Sequence, residues 1–138
     1  MRKYENFARA LAVLEDAPNQ DLSNEYVKSG LISKFSLQFE LSWKLLKRLL
    51  AYEGDAVAAS GSPRDVVKAS FRIYDFLDED AWLGMLGDRN LVSHAYDGEL
   101  VDELARRIID RYLPEFQRLD AGLRSRYGEL LDASDDEV

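Results

Sequence analysis

The run from Leu22 to Tyr52 limits the possible folds more than any other part of the chain. Within it Leu31, Phe35, Phe39, Trp43, Leu45, Leu46, Leu49 and Leu50 recur at separations of three and four, the spacing of one helical face. On a helical wheel they cover an arc of roughly 160°. Ser33, Ser36, Glu40, Lys44 and Lys47 fall on the opposite side. Leu37 and Leu41 lie outside the arc and predict a second contact, with another helix or another subunit. Gly30 is a candidate bend.

Helical spacing also dominates the rest of the chain. Tyr4, Phe7, Ala8, Leu11 and Leu14 make a first amphipathic helix, broken by Ala17-Pro18-Asn19-Gln20. After the small-residue loop Gly54–Gly61, Ser62-Pro63-Arg64-Asp65 reads as a helix start, with Ser at the N-cap and Pro at the first helical position. Asp78-Glu79-Asp80 opens a fourth helix, where acids favour the positive end of the dipole. Its first turns bury Trp82, Met85 and Leu86, and its last turns are expected to carry Arg89 to His94. Asp97-Gly98 interrupts. Leu100, Leu104, Ile108 and Tyr112 then form the row of a fifth helix, which Pro114 should kink or restart. Phe116, Leu119, Leu123 and Tyr127 continue the stripe. No strand pattern, internal repeat or second domain is present. The expected fold is all-α, an up-and-down bundle of about five helices. Residues 1–131 would form the single domain and 132–138 an acidic, disordered tail.

Composition narrows the function. The chain has no cysteine, which removes disulfide frameworks and thiolate metal sites. A single histidine without clustered acids argues against catalytic zinc, and neither a metal nor a cofactor is expected. The N-terminal residues lack a signal-peptide apolar core, and no apolar run reaches membrane-spanning length, so the expected location is the cytoplasm. Net charge is −8, which disfavours indiscriminate nucleic-acid binding. Four of those charges, Asp132, Asp135, Asp136 and Glu137, sit in the tail, leaving a mildly acidic body that can still hold a local basic cleft. Arg106, Arg107, Arg111, Arg118, Arg124 and Arg126 crowd the C-terminal half. A solvated face is the expected reading, with an RNA- or partner-facing stripe as the alternative.

The chemistry concentrates in Asp88-Arg89-Asn90-Leu91-Val92-Ser93-His94-Ala95-Tyr96, which holds the sole histidine. Imidazole titrates near neutrality and suits acid–base work. Arg89 supplies a permanent cation whose donor fork matches phosphate oxygens. Asn90, Ser93 and Tyr96 add neutral hydrogen-bonding groups. Such a set suits a phosphodiester, although a lone His near a helix end is often only a cap or a partly buried polar group. If the segment is α-helical, Arg89, Ser93 and Tyr96 share one row, and Asn90 and His94 the next. Arg89 and His94 would lie about 140° apart, a poor geometry for one phosphate. A swung arginine, a helix ending near Ala95, or a twofold dimer with facing helices would each repair it.

Arg-x4-His-x-Tyr within DRNLVSHAYD resembles the signature of the HEPN family, in particular its nucleotidyltransferase substrate-binding branch, which is also the toxin half of HEPN/MNT toxin–antitoxin pairs. FELSWKLLKRLL (Phe39 to Leu50) and SPRDVVKASF (Ser62 to Phe71) support the same match. A motif alone is weak, but three ordered blocks, within a resemblance running from about Asn6 to Tyr112, are specific. The resemblance implies a homodimeric, metal-independent endoribonuclease whose two motifs line a shared cleft. Arg89 and His94 would be catalytic, and Asn90 would orient the imidazole or the phosphate. It further implies that Tyr96 accepts AMP from a partner MNT-type nucleotidyltransferase antitoxin. Two other readings stand beside this: a non-catalytic subunit presenting a substrate to a nucleotidyltransferase, and a helical dimer serving only as scaffold.

Overall fold

The computed structural model describes residues 1–94 and 97–135, and of Val92, Ser93 and His94 it describes the backbone alone. Among these residues all regular structure is helical. The long run becomes α2 (Glu25–Tyr52), the axis on which the fold is built. α1 (Arg2–Leu14), α3 (Pro63–Ile73) and α5 (Gly98–Arg107) all pack against it. α4 (Glu79–Asp88) follows α3, and α6 (Leu113–Tyr127) continues the line of α5 and touches α1. With α5 and α6 counted as one rod, the expected five helices are present.

α2 starts three residues later than its apolar pattern suggests, because Asn24 caps it. The Asn24 side chain accepts from the backbone N–H groups of Tyr26 (2.8 Å) and Val27 (3.2 Å), leaving Leu22 in the preceding turn. The helix passes Gly30 unbroken. Ser62, Asp78 and Asp97 cap α3, α4 and α5 in the same way, each such cap contributing about 1 kcal/mol.

Leucines and aromatic rings make most of the core. Phe7, Phe35, Phe39, Trp82, Tyr112 and Phe116 are almost wholly buried, and each contributes on the order of 1.5–3 kcal/mol by leaving water. Phe35 stacks on Tyr112 (5.3 Å between centroids, 17° between planes), and Trp82 stands edge-on to Phe116 (5.7 Å, 87°). Leu41 is half-buried against this core, one of the second contacts expected for it. Leu37 stays 53 % exposed.

Pro114 does restart a helix, but the adjustment lies upstream of it. Ile108–Tyr112 winds as a π-turn, and the Leu113 N–H reaches back to the Ile108 carbonyl. Pro114 then stands in the first turn of α6, directly after the π-turn. At the chain ends, the Met1 ammonium donates to the carbonyls of Leu131 (3.0 Å) and Ala133. Asp132 pairs with Arg124 (3.0 Å), and the Arg2 N–H donates to Asp135 (3.0 Å). No helix among the described residues is long and apolar enough to cross a membrane.

The C-terminal arginines form the expected solvated face for the most part: Arg106, Arg111, Arg118, Arg124 and Arg126 are exposed. Of the six, Arg107 is half-buried and pairs with Asp88. At the surface Arg118 pairs with Glu115 within α6, Arg124 with Asp132 and Arg126 with Glu53.

Candidate functional site

The motif does not ride on the last turns of α4, as the apolar pattern led one to expect. α4 stops at Asp88, and Arg89–His94 is a 3₁₀ segment. Two polar side chains from α5 and the turn that follows it meet at the switch point. Arg107 grips Asp88 with both Nε (2.8 Å to Oδ2) and Nη2 (3.1 Å to Oδ1), and the Tyr112 hydroxyl donates to Oδ2. Arg107 and Tyr112 are five residues apart, which on a regular α-helix separates them by about 140°. The intervening π-turn brings them round to one carboxylate. Burial, and then the bond to Asp88, push the Tyr112 hydroxyl well above the ordinary tyrosine range, so it remains a donor. Desolvation works against the Arg107 charge, but bonding and attraction to Asp88 outweigh it and raise its pKa.

Glycine makes this approach possible. A Cβ at Gly84 on α4 would stand 2.9 Å from the Tyr112 hydroxyl oxygen, closer than ordinary packing allows. Gly84 therefore lets the tyrosine tip pass α4 and reach Asp88.

Arg89 is seated on α2. Its Nη1 donates to Glu40 Oε1 at 2.7 Å, and the guanidinium lies over the Phe39 ring, 5.5 Å from the centroid. The other Glu40 oxygen accepts the Trp43 indole N–H at 2.8 Å. Phe39, Glu40 and Trp43 thus form a seat of one ring, one carboxylate and one indole along α2. The Arg89 side chain remains 27 % exposed, so its charge is positioned by protein and reachable from solvent. A phosphate binding there would share or replace Glu40 as the anion facing the guanidinium.

Asn90 stands at the foot of the same segment, its amide nitrogen 3.5 Å from the Leu86 carbonyl, at the outer limit of a hydrogen bond. The expected Asn90–His94 row falls on a side chain outside the described residues, where the His94 side chain and the whole of Tyr96 lie.

Sequence reasoning missed four contributors. The sequence pattern puts Glu40 on the solvent side of α2, Arg107 in a solvated stripe and Tyr112 in the core row, and gives Asp88 no role beyond opening the motif. The signal for Tyr112 was available, because a buried tyrosine hydroxyl needs a partner. Glu40 stands three residues before an indole donor on one helix, a spacing that predicts contact.

Against known proteins, a family model described as "Nucleotidyltransferase substrate binding protein like" matches residues 2–125. The chain is also 34% identical over 101 residues to a protein of Haemophilus influenzae named "Probable ribonuclease HepT". That alignment covers 71% of this chain and 68% of the relative.

Proposed function

The chain belongs to the nucleotidyltransferase substrate binding protein like family, and from that premise we propose that it is a HEPN-type toxin: a metal-independent endoribonuclease, active as a homodimer, with Arg89, Asn90 and His94 of both subunits around one cleft. The observation that carries this reading is the seating of Arg89. A partly exposed guanidinium held between a carboxylate and a ring, at the tip of a braced helix, is a preorganised phosphate ligand. The name of the Haemophilus relative points the same way.

The chemistry follows from the residue types. The ribose 2′-oxygen bonds to phosphorus and the bond to the 5′-oxygen breaks. A base takes the 2′ proton, and an acid delivers one to the leaving oxygen. The sole histidine supplies one of these functions per chain, so a twofold pair supplies both. Arg89 neutralises the charge that builds on the phosphoryl oxygens in the transition state. Asn90 orients the imidazole or the phosphate. Tyr96 is the proposed switch. A partner MNT-type nucleotidyltransferase would join its hydroxyl oxygen to the α-phosphorus of ATP, releasing pyrophosphate. The resulting AMP phosphate, two residues from His94, would engage Arg89 and fill the cleft.

A second reading is favoured by the family's own description and by the net charge of −8. On that reading the same residues hold a substrate's phosphate for a separate nucleotidyltransferase without cleaving it. The deciding experiment is cleavage of an RNA pool in the presence of chelator by AMP-free protein, with His94→Ala alongside. Cutting by the wild type alone supports the ribonuclease. Cutting by neither puts the substrate-presenting reading ahead. Tyr96→Phe is expected to cut RNA and escape the partner's control; a Tyr96→Phe protein still silenced by AMP transfer would remove Tyr96 as acceptor.

A further inference from the structure

We propose that an open groove between the start of α1 and the second half of α2 is a track for single-stranded RNA leading to Arg89; this rests on the ribonuclease reading for the identity of the nucleic acid. The groove has a volume of about 440 Å³ and is walled by Lys3, Trp43, Lys44, Lys47 and Arg48, with alanines completing it. In a chain of net charge −8, four cations and no carboxylate line this one concavity. Among the described residues Lys3, Lys44 and Lys47 form no ion pair. In this they differ from the paired arginines of α5 and α6.

The groove is continuous with the candidate site through a single residue. Trp43 lines it and also donates to Glu40, which holds Arg89. From Arg48 back to Glu40 the helix rises about 12 Å, so a strand lying on the lysines meets Arg89 at its end. A basic channel that tracks phosphates beside an aromatic face is the arrangement that holds single strands without reading their sequence. An acidic protein partner would find the cations but would have no use for the aromatic wall.

The test uses the full chain and a fluorescein-labelled, 2′-O-methylated single-stranded RNA of about twelve nucleotides. Such an RNA lacks the attacking hydroxyl and cannot be cut, so binding is read whether or not the chain is a nuclease. Lys44→Glu/Lys47→Glu is compared with Arg9→Glu/Lys34→Glu, which makes the same charge change at exposed positions elsewhere. Circular dichroism establishes that both are folded, and Lys44→Gln/Lys47→Gln substitutes if reversal unfolds the chain. The groove variant is expected to bind at least about tenfold more weakly. Its salt slope should fall by about 1.4, for two phosphate contacts at ~0.7 each. The control should stay within about twofold of wild type. RNA should also quench Trp43, since Trp82 is fully buried. Equal affinity of the two double variants overturns the track. So does a groove variant that keeps RNA affinity but loses a co-purified nucleotidyltransferase, which would make the groove a protein-docking surface. Intact, groove-dependent binding alongside absent cleavage of ordinary RNA would support the track and remove the ribonuclease reading.

Discussion

Two places in this molecule use nearly the same parts and put them to opposite use. At one, Arg89 meets Glu40 of α2 at 2.7 Å and lies over the Phe39 ring, while Glu40's second oxygen takes the Trp43 indole. At the other, Arg126 of α6 meets Glu53, just past the end of α2, at 3.6 Å. It lies over both the Tyr74 and Tyr127 rings, and the Tyr127 hydroxyl donates to Glu53 at 3.0 Å. Each region also has a glycine facing a ring: Gly84 below Tyr112, and Gly122 below Phe76, which packs on Tyr74. The difference is in how the cation is held. Arg126 sits on a helix, between two rings, beside hydroxyls bonded to one another, and so acts as a clasp. Arg89 comes from a short 3₁₀ tip, with one ring and one carboxylate, and can exchange that carboxylate for an incoming phosphate.

Exchanging the roles of the two arginines is the strongest way to break this comparison. Arg89→Ala should lower RNA cleavage by about 10²–10³-fold while the melting temperature moves by only a few degrees. Arg126→Ala should leave cleavage near wild type and cost about 0.5 kcal/mol, the modest value of an exposed pair. Cleavage rates and thermal melts on both variants settle it, and the division fails if Arg126→Ala is the one that loses activity.

The glycines sharpen it next. A Cβ at Gly122 would stand 2.5–2.6 Å from Phe76 ring atoms, so Gly122→Ala should cost about 2 kcal/mol in urea unfolding, as overpacking does. Gly84→Ala meets only the tip of Tyr112 and regains some helix propensity, so its net cost should be about 1 kcal/mol. Unlike Gly122→Ala, it should also lower cleavage, by displacing the hydroxyl that braces Asp88.

The smallest effect is alkaline. Burial, followed by the bonds to Tyr127 and Asp88 respectively, raises the pKa of Tyr74 and Tyr112 above the ordinary value of 10.0. A raised folded-state pKa stabilises below the unfolded value and is lost as pH climbs past it. Stability should therefore be flat up to about pH 10 and decline above it. Tyr74→Phe and Tyr112→Phe should each flatten that decline in alkaline unfolding titrations.

The apolar wheel of residues 22–52 was enough to identify α2 and its buried face, because burial of a helical stripe is a local pattern. Ser62-Pro63 likewise announced a helix start through local capping chemistry, whereas Asp97-Gly98 was legible only as a break and turns out to cap α5. The 3₁₀ winding of Arg89–His94 was not legible. No glycine or proline marks it, and Arg107 and Tyr112 meet Asp88 at its start from α5 and the turn that follows it. Pro114 warned of a break, but the response falls in Ile108–Tyr112, residues with no unusual propensity. Arg89 could be recognised as chemistry from its neighbours in sequence. Its seat on Phe39, Glu40 and Trp43 is a tertiary fact.

The π-turn at Ile108–Tyr112 has a consequence for how this rod tolerates insertions and deletions. It amounts to one spare residue wound into an otherwise regular helix. Deleting one residue there would keep α6 in phase, with Pro114 left to kink the α winding, whereas a deletion elsewhere in α5 or α6 would rotate everything beyond it by about 100°. The spare residue is what aims Arg107 and Tyr112 at one carboxylate. A homologue whose alignment shows a one-residue gap in this turn should keep the bundle and give up one of the two braces on Asp88.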